Sequence, residues 1–419
     1  QVAGHLTQAG FHAAAYHAGL DSERRHILQT EFMAGHVEIM VATIAFGMGI
    51  DKSDIRNVIH FDLPKSIENY CQEIGRAGRD GQSSDCLVLA NRQELQVLEN
   101  FIYGDTPEPE SILAVLRGIK QEMEPSRYGY DWHTNAYTLS SQTNIRQLPL
   151  KTLLVYLEMQ GLVQAAYSYF ADYKFKLLVD EAAIKGRFEG ERRVFVDCLF
   201  SQSQKAKTWW TIDIESLVAA YSQQQGQSDR HRVIAALEYF SNQGWIELQA
   251  KQMTDVYRVL QPDFDEVGVS QALCQLFQQK EQAEIQRIHN MLALFESPSC
   301  LSHQLADYFG DNLAPNPCGH CSACSGHQVD LPTSELVFEP AHFNFTELTA
   351  ELISKYQTKF QQAPTATLLT RFLCGITTPA LTQLRVRSLA GHGKLQAYRY
   401  KEVRGWVETQ WRVQDRRSA

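Results

Sequence analysis

The sequence predicts an α/β lobe at its amino end, then helix-and-ribbon domains, then a helical carboxy-terminal part. Three features carry this. Short apolar runs alternate with helical stretches over residues 1–92. A helix, Gln-Gly, strand pattern occurs twice between 150 and 249. Four of the nine cysteines gather between 300 and 324. At 419 residues the chain is too long for one core. A hydrophobic fraction of 44% and a charged fraction of 21% describe a globular chain. No apolar run approaches the roughly 18 residues of a membrane helix, and no signal-peptide pattern opens the chain. "QVAGHLTQAG" reads as the second half of an amphipathic helix, so an upstream portion is expected to be missing.

In the lobe, "VEIMVA" (37–42), "NVIHF" (57–61) and "DCLVLA" (85–90) are strand candidates. Their alternation with helices suggests a parallel sheet covered on both faces. Ser66 is placed to cap the helix "IENYCQEI", with Glu68 in its first turn. The segment "QEIGRAGRDG" (72–81) then sets Arg76 and Arg79 among Gly75, Gly78 and Gly81. Glycines there permit helix C-capping and close backbone approach. Residues 93–123 are helical in pattern, broken at "GDTPEP".

The repeat follows. "LKTLLVYLEMQGLVQ" (150–164) and "RVIAALEYFSNQGWIELQ" (232–249) are amphipathic helices ending at a Gln-Gly pair. Gly161 and Gly244 suit left-handed C-caps. Each is followed by a hairpin candidate, "AYSYFADYKFKLLV" and "IELQAKQMTDVYRVL". A helical pair followed by a two-stranded ribbon is the winged-helix plan, and two tandem copies are expected. Two small structural helix–hairpin units are the plainer alternative. The 165–178 hairpin, with Tyr167, Tyr169, Tyr173 and Phe175, is a candidate wedge or stacking platform. Core packing is the expected role for at least half of those aromatics. Residues 263–299 are Gln-rich and helical, 331–345 read as a linker, and 346–411 form a helical module broken at "CGITTP" and "AGHGK". The net charge is −9, yet residues 371–419 carry ten Lys/Arg against three Asp/Glu. That face suits phosphate whatever the global sign. A solvated tail is the equal alternative.

The cysteine cluster has the spacing Cys-x17-Cys-x2-Cys-x2-Cys, over Cys300, Cys318, Cys321 and Cys324. Two-residue gaps let neighbouring thiolates wrap one ion, and four thiolates close a tetrahedral structural zinc site. An iron–sulfur cluster is the rival. His320 and His327 are nearby spare donors. His303, Asp307 and Tyr308 lie outside the pattern. Cys71, Cys86, Cys198, Cys274 and Cys374 read as reduced core residues.

Arg76 and Arg79 are permanently charged, forked donors. In a glycine frame they suit a triphosphate whose charge grows during phosphoryl transfer. A solvated loop is the alternative on that stretch alone. In "VATIAFGMGIDKSDIRNVIHF" (41–61) a strand ends at Thr43, a Gly-Met-Gly turn follows, and Asp51 stands where it could accept from ribose hydroxyls. In "AYHAGLDSERR" (15–25) His17 and Gly19 open a helix N-terminus, a site for a nucleic-acid phosphate.

In their order, "YHAGL", "VATIAFGMGIDK" and "QEIGRAGRDG" resemble the second motor domain of the RecQ family of superfamily 2 DNA helicases. The cysteine segment, with "YFGD" inside it, resembles the zinc subdomain of that family. These motifs cover about 1–125 and 268–326 of the chain. The resemblance implies a motor of two RecA-like lobes and ATP-driven 3′-to-5′ unwinding of DNA in repair or recombination. It implies ATP and Mg²⁺ as cofactors beside zinc, DNA strands and junctions as partners, and a location away from membranes, cytoplasmic and nucleoid-associated in a bacterium or nuclear in a eukaryote. By position it implies Arg79 as an arginine finger, with Arg76 and Gln72 completing the motif, and Gly49 and Asp51 facing nucleotide. Tyr16, His17, Gly19 and Thr43 fall near the DNA backbone, and the four clustered cysteines match the zinc ligands.

The layout departs from the usual RecQ order, since about 170 residues with the winged-helix candidates precede the zinc segment. That order resembles the Rothmund–Thomson-type branch. The P-loop lobe of the family has no counterpart. The nearest stretch, "SLAGHGKL" (388–395), fails a Walker A motif at Ser388 and Leu395. The chain alone is therefore expected to be inactive. A non-enzymatic zinc and winged-helix DNA-binding regulator is the alternative, but it leaves Arg76, Arg79, Asp51 and Gly49 unexplained. The expected architecture is an α/β RecA-like lobe (1–105), connecting helices (106–125) and tandem winged-helix domains (126–189 and 190–262). A helical zinc-binding subdomain (263–330) and a linker with a small basic helical C-terminal module (331–419) complete it.

Overall fold

The computed structural model describes residues 1–46, 50–92, 95–224, 228–311, 313–327, 329, 331 and 336–418. They form two compact units. One comprises Gln1–Tyr103, Gln279–Ile376 and Val386–Ala419, the other Gly104–Gln278 and Thr377–Arg385.

The first unit opens with α1 (Val2–Gln8), β1 (Ala13–Tyr16), α2 (Ser22–Met33), β2 (Ile39–Ala42), β3 (Asn57–His60), α3 (Ile67–Ile74), β4 (Asp85–Val88) and α4 (Leu95–Asp105). The α/β alternation and the parallel pairing match the expectation. β1 runs beside β2 with Ala13 opposite Ile39, and β3 beside β4 with Asn57 opposite Asp85. The sheet does not. Among the described residues the strands make two separate two-stranded sheets, and one face of β3–β4 is uncovered. Ile59 and its cross-strand neighbour Leu87 are 59% and 51% exposed, with Phe61 and Leu89 beside them, while His60 is buried. Cys86, expected in the core, is exposed on β4.

The second unit contains α5 (Pro109–Glu122), β5 (Glu124–Ser126), β6 (Gly129–Thr134), α6 (Ala136–Thr143), α7 (Gln147–Met159), β7 (Val163–Leu177) and α8 (Glu181–Lys185). It continues through α9 (Gly190–Ser201), β8 (Ser203–Lys205), β9 (Trp210–Ile212), α10 (Ile214–Gln224), α11 (Arg230–Asn242), β10 (Ile246–Val259) and the start of α12 (Glu266–Phe295). The strands form one antiparallel sheet in the order β5-β6-β10-β7-β9-β8. Gly161 and Gly244 take the left-handed conformation just past their helices, at φ 68° and 70°.

The two expected hairpins are a correction. Each is one unbroken strand, of 15 and 14 residues. They pair with each other, from Leu177 opposite Ile246 to Val163 opposite Val259. Neither stretch contains Gly or Pro to turn the chain back, and each strand finds a core at both ends. Val163 and Val259 join Ile112, Leu116, Trp132, Leu150 and Leu153 in one cluster. Phe175 and Ile246 join Phe195, Leu199, Trp210, Leu217 and Leu237 in the other. Two helical sets thus share a single ribbon, where a separate hairpin after each helical pair was expected.

Returning to the first unit, the distal part of α12 packs Ile288, Met291, Leu292 and Phe295 on Leu63, Ile67 and Leu95 of the lobe. α13 (Leu301–Tyr308), α14 (Phe345–Phe360), α15 (Ala366–Leu373), α16 (Pro379–Gln383) and α17 (Tyr400–Ser418) follow. α16 belongs to the second unit, where the Ala380 N–H donates to Asn144 Oδ1 at 2.9 Å. The end of the expected linker is packed rather than free. Phe338 and Phe343 stack at 5.6 Å, edge-on to Tyr398 and Trp406. In "SLAGHGKL" the glycines serve packing. A Cβ on buried Gly391 would lie 2.0 Å from the Leu348 carbonyl oxygen, and the Gly393 N–H donates to Phe372 O at 3.0 Å.

Candidate nucleotide-facing turn and metal centre

Helix α3 delivers the arginine segment. Ser66 caps it by accepting from the Asn69 N–H, Ile67 is buried, and Tyr70 sits edge-on to Phe295 at 5.3 Å. Glu73 meets buried His60 at 2.6 Å, which fixes the last turn of α3 to the end of β3. The chain then leaves the helix at Gly75, which keeps a right-handed φ of −64°. Gly78 is the residue that needs to be glycine. Its φ is +62°, and a Cβ would lie 2.8 Å from Gln82 O and 2.9 Å from Ser84 Oγ. The Gly78 N–H donates to Ile55 O at 3.0 Å and the Asp80 N–H to Ser53 O at 3.2 Å. Arg56 locks the same turn through Asp80 and through Ser83 O. The Arg56 guanidinium holds the Asp80 carboxyl below the usual carboxylate range.

On this fixed turn Arg79 is exposed, and its Nη1 donates to Asp51 Oδ1 at 2.8 Å. Its Nε donates to Gly75 O at 3.3 Å. Two expected site residues, 28 positions apart, are thus brought together. The pair is water-facing, with side chains 39% and 89% exposed. Exposed pairs contribute about 0–1 kcal/mol, so an incoming phosphate competes for this guanidinium at little cost. Arg76 is half-buried and makes no ion pair among the described residues, and Gln72 is exposed one helical turn before it. Gly49 lies outside the described residues.

The residues expected near a DNA backbone divide. Tyr16 is 8% exposed, with its ring edge-on to Phe46 at 4.8 Å, so it is a core residue. His17, Gly19 and Thr43 are exposed around the ends of β1 and β2. The helix beyond His17 begins at Ser22. Its N-cap is Asp21, whose carboxylate accepts from the Arg24 N–H at 2.7 Å. A phosphate at that terminus would meet an acid already in place, contrary to the expected role.

The cysteines converge. The Sγ atoms of Cys300, Cys318, Cys321 and Cys324 all lie within 4.8 Å of one another. Backbone N–H groups point at the sulfurs, Cys318 N to Cys300 Sγ at 3.3 Å and Cys321 N to Cys318 Sγ at 3.4 Å. Burial opposes ionisation of Cys318, but hydrogen bonds from Ser302, His320 and Cys321 outweigh it and bring its thiol down to about 5. Cys324 accepts from the Gly319 N–H, yet burial and neighbouring sulfurs push its thiol up to about 11. Four thiols this close cannot all ionise without a cation, and a tetrahedral dication fits the donor set. The exposed His320 and His327 are not part of the cluster, and His303 instead faces Ala314 O at 3.1 Å.

Several anchors escaped the sequence reading. The Tyr308 O–H donates to Glu68 at 2.7 Å, and Arg92 grips both carboxylate oxygens of Glu296 at 2.6 and 2.8 Å. Both tie the cysteine-bearing segment to the lobe. They join residues more than 200 positions apart, and no local pattern signals them.

Residues 1–81 match the helicase conserved C-terminal domain, and residues 265–325 match the RecQ zinc-binding domain. The chain is 58% identical over 84 residues to the RecQ-like DNA helicase blm-1 of Caenorhabditis elegans, covering 20% of this chain and 8% of that protein. It is 41% identical over 117 residues to the ATP-dependent DNA helicase RecQ of Pasteurella multocida, covering 28% and 18%. It is 44% identical over 115 residues to the ATP-dependent DNA helicase Q4 of Mus musculus, covering 27% and 9%. The match therefore spans less than a fifth of each of these relatives. The chain carries a helicase C-terminal domain together with a RecQ zinc-binding domain, and in these it is homologous to the RecQ helicases.

Proposed function

We propose that this chain is the carboxy-terminal part of an ATP-dependent 3′-to-5′ DNA helicase of RecQ type. The observation that carries the reading is the exposed, fixed turn on which Arg79 meets Asp51, with Arg76 and Gln72 behind it, inside the segment matched by the helicase C-terminal domain. Nucleotide bound to a P-loop lobe would face this turn. Arg79 would exchange Asp51 for the γ-phosphate, and Arg76 would add a second guanidinium as charge develops on the transferring group. Asp51, once released, is free to accept from ribose hydroxyls. ATP and Mg²⁺ enter with the P-loop lobe, and this chain hydrolyses ATP only in its company. The four cysteines would hold zinc structurally and keep the segment around α13 folded against the lobe. The chain order favours the Rothmund–Thomson-type branch, with the two helical sets on the shared ribbon engaging DNA during repair or recombination.

The reading is tested by mixing the chain with a P-loop lobe and measuring DNA-dependent ATPase activity. Arg79→Ala should lower kcat by about 10³-fold or more, and Arg79→Lys should not restore it, because an ammonium lacks the planar fork. Unchanged turnover in Arg79→Ala would remove the arginine-finger role. Absence of any stimulation by the added lobe would favour a non-enzymatic DNA-binding regulator.

A further inference from the structure

Outside the lobe, the solvent face of the shared ribbon carries a group of side chains with no part in nucleotide chemistry. Arg258 on β10 stands opposite Asp131 on β6 and Gln164 on β7, so the three form one cross-strand row. Arg258 and Asp131 make no ion pair. The Arg258 guanidinium lies over the Tyr128 ring instead, 4.7 Å from its centroid, and Arg127 lies 5.6 Å from the same ring. Arg258 Nε and Asp131 Oδ1 are buried without a hydrogen-bond partner among the described residues. A buried polar atom without a partner is costly, and here one donor and one acceptor of that kind stand on neighbouring strands. A β-bulge at Val256/Tyr257 re-aims the ribbon here, and an open surface depression of about 480 Å³ lies between Arg127, Tyr128, Asp131, Gln164, Tyr167 and Arg258. Tyr128 and Tyr167 stay 64% and 58% exposed. Tyr169 continues the row 6.3 Å from Tyr167, with Arg230 over its ring at 4.6 Å.

We infer that this face binds single-stranded DNA. Bases stack on Tyr128 and Tyr167, and the backbone phosphates lie against Arg127 and Arg258. The unpartnered Asp131 oxygen accepts from a base N–H. Exposed aromatics interleaved with guanidiniums on a sheet surface are the sequence-tolerant way to hold a strand. Because the residues come from β6, β7, β10 and the turn before β6, the site exists only when the ribbon is shared. The choice of DNA rests on the helicase reading, but the site does not depend on the arginine finger.

The test uses the full chain without ATP or a P-loop lobe, so its failure leaves the ATPase reading standing, and the reverse also holds. A short dye-labelled oligothymidine is titrated by fluorescence anisotropy beside an abasic strand of equal length and the matching oligouridine RNA. Wild type should bind thymidine roughly tenfold or more tighter than the abasic strand. The double variant Tyr128→Ala/Tyr167→Ala should lose that advantage. Arg258→Ala should lower the salt slope by about 0.7. Equal affinity for thymidine and abasic strands, or a double variant within twofold of wild type, overturns the site. Tighter binding of the RNA overturns the choice of DNA. If the variants misfold, photocrosslinking of a bromouracil-substituted strand to the wild-type chain decides. Cross-links at Tyr128 or Tyr167 support the site, and cross-links confined to other regions overturn it.

Discussion

Glu68 shows how much one side chain of the lobe depends on distant partners. The Ser66 hydroxyl, the Tyr308 hydroxyl and its own backbone N–H hold its carboxyl down to about 2, from an ordinary 4.5. A depressed acid stabilises the fold above its unfolded value and loses that contribution as pH falls, here from about 4.5 through about 2. Tyr308→Phe should raise the Glu68 midpoint in an NMR titration and move the acid limb of unfolding to higher pH. A titration that does not move would mean the Tyr308 bond contributes nothing. Gly391 offers a steric counterpart. Gly391→Ala drives a methyl group against the Leu348 carbonyl oxygen of α14, and overpacking of this kind costs about 1–3 kcal/mol, to be read as a lower midpoint in denaturant. At this scale the local signals were legible. Ser66 caps α3, and the four cysteines converge. The motif gives the position of Tyr16 but not the direction of its ring, which points inward to Phe46.

Among elements, β7 and β10 matter most. Phe175 is 1% exposed and stacks on Trp210 at 5.9 Å. Phe175→Ala should cost about 3–5 kcal/mol. Since its strand also delivers Val163 to the other core, both helical sets should unfold in one transition, followed by hydrogen exchange at Leu153 and Leu237. Two separated transitions would show that the ribbon does not couple them. The sequence disclosed the helices, their Gln-Gly ends and the strand character of both stretches. It did not disclose the pairing, because alternation specifies faces and not partners. Of the four aromatics noted on β7, Tyr173 and Phe175 are buried, as the expected core packing of half of them requires, while Tyr167 remains outside.

For the molecule as a whole, the cysteine cluster is the controllable part. The segment bearing Cys300–Cys324 is tied to the lobe by Tyr308–Glu68 and Arg92–Glu296, both within the first unit. The chain should bind one zinc. Chelation or Cys318→Ser should lower the melting temperature and raise hydrogen exchange in α13 and α3 together. Zinc-free protein that melts and exchanges like the untreated protein would remove the structural role. What the sequence determined by itself was chemistry packed into short spacings: the cysteine cluster, the paired arginines in glycine, the capped helices and the α/β alternation. Those follow from bond lengths and local backbone preference, which a few residues suffice to set. Only the tertiary structure decided that Arg79 meets Asp51, that two strands replace two hairpins, and that tyrosines and arginines share one solvent face. These pairings join residues far apart in the chain, and the burial that selects them is a property of the packed fold.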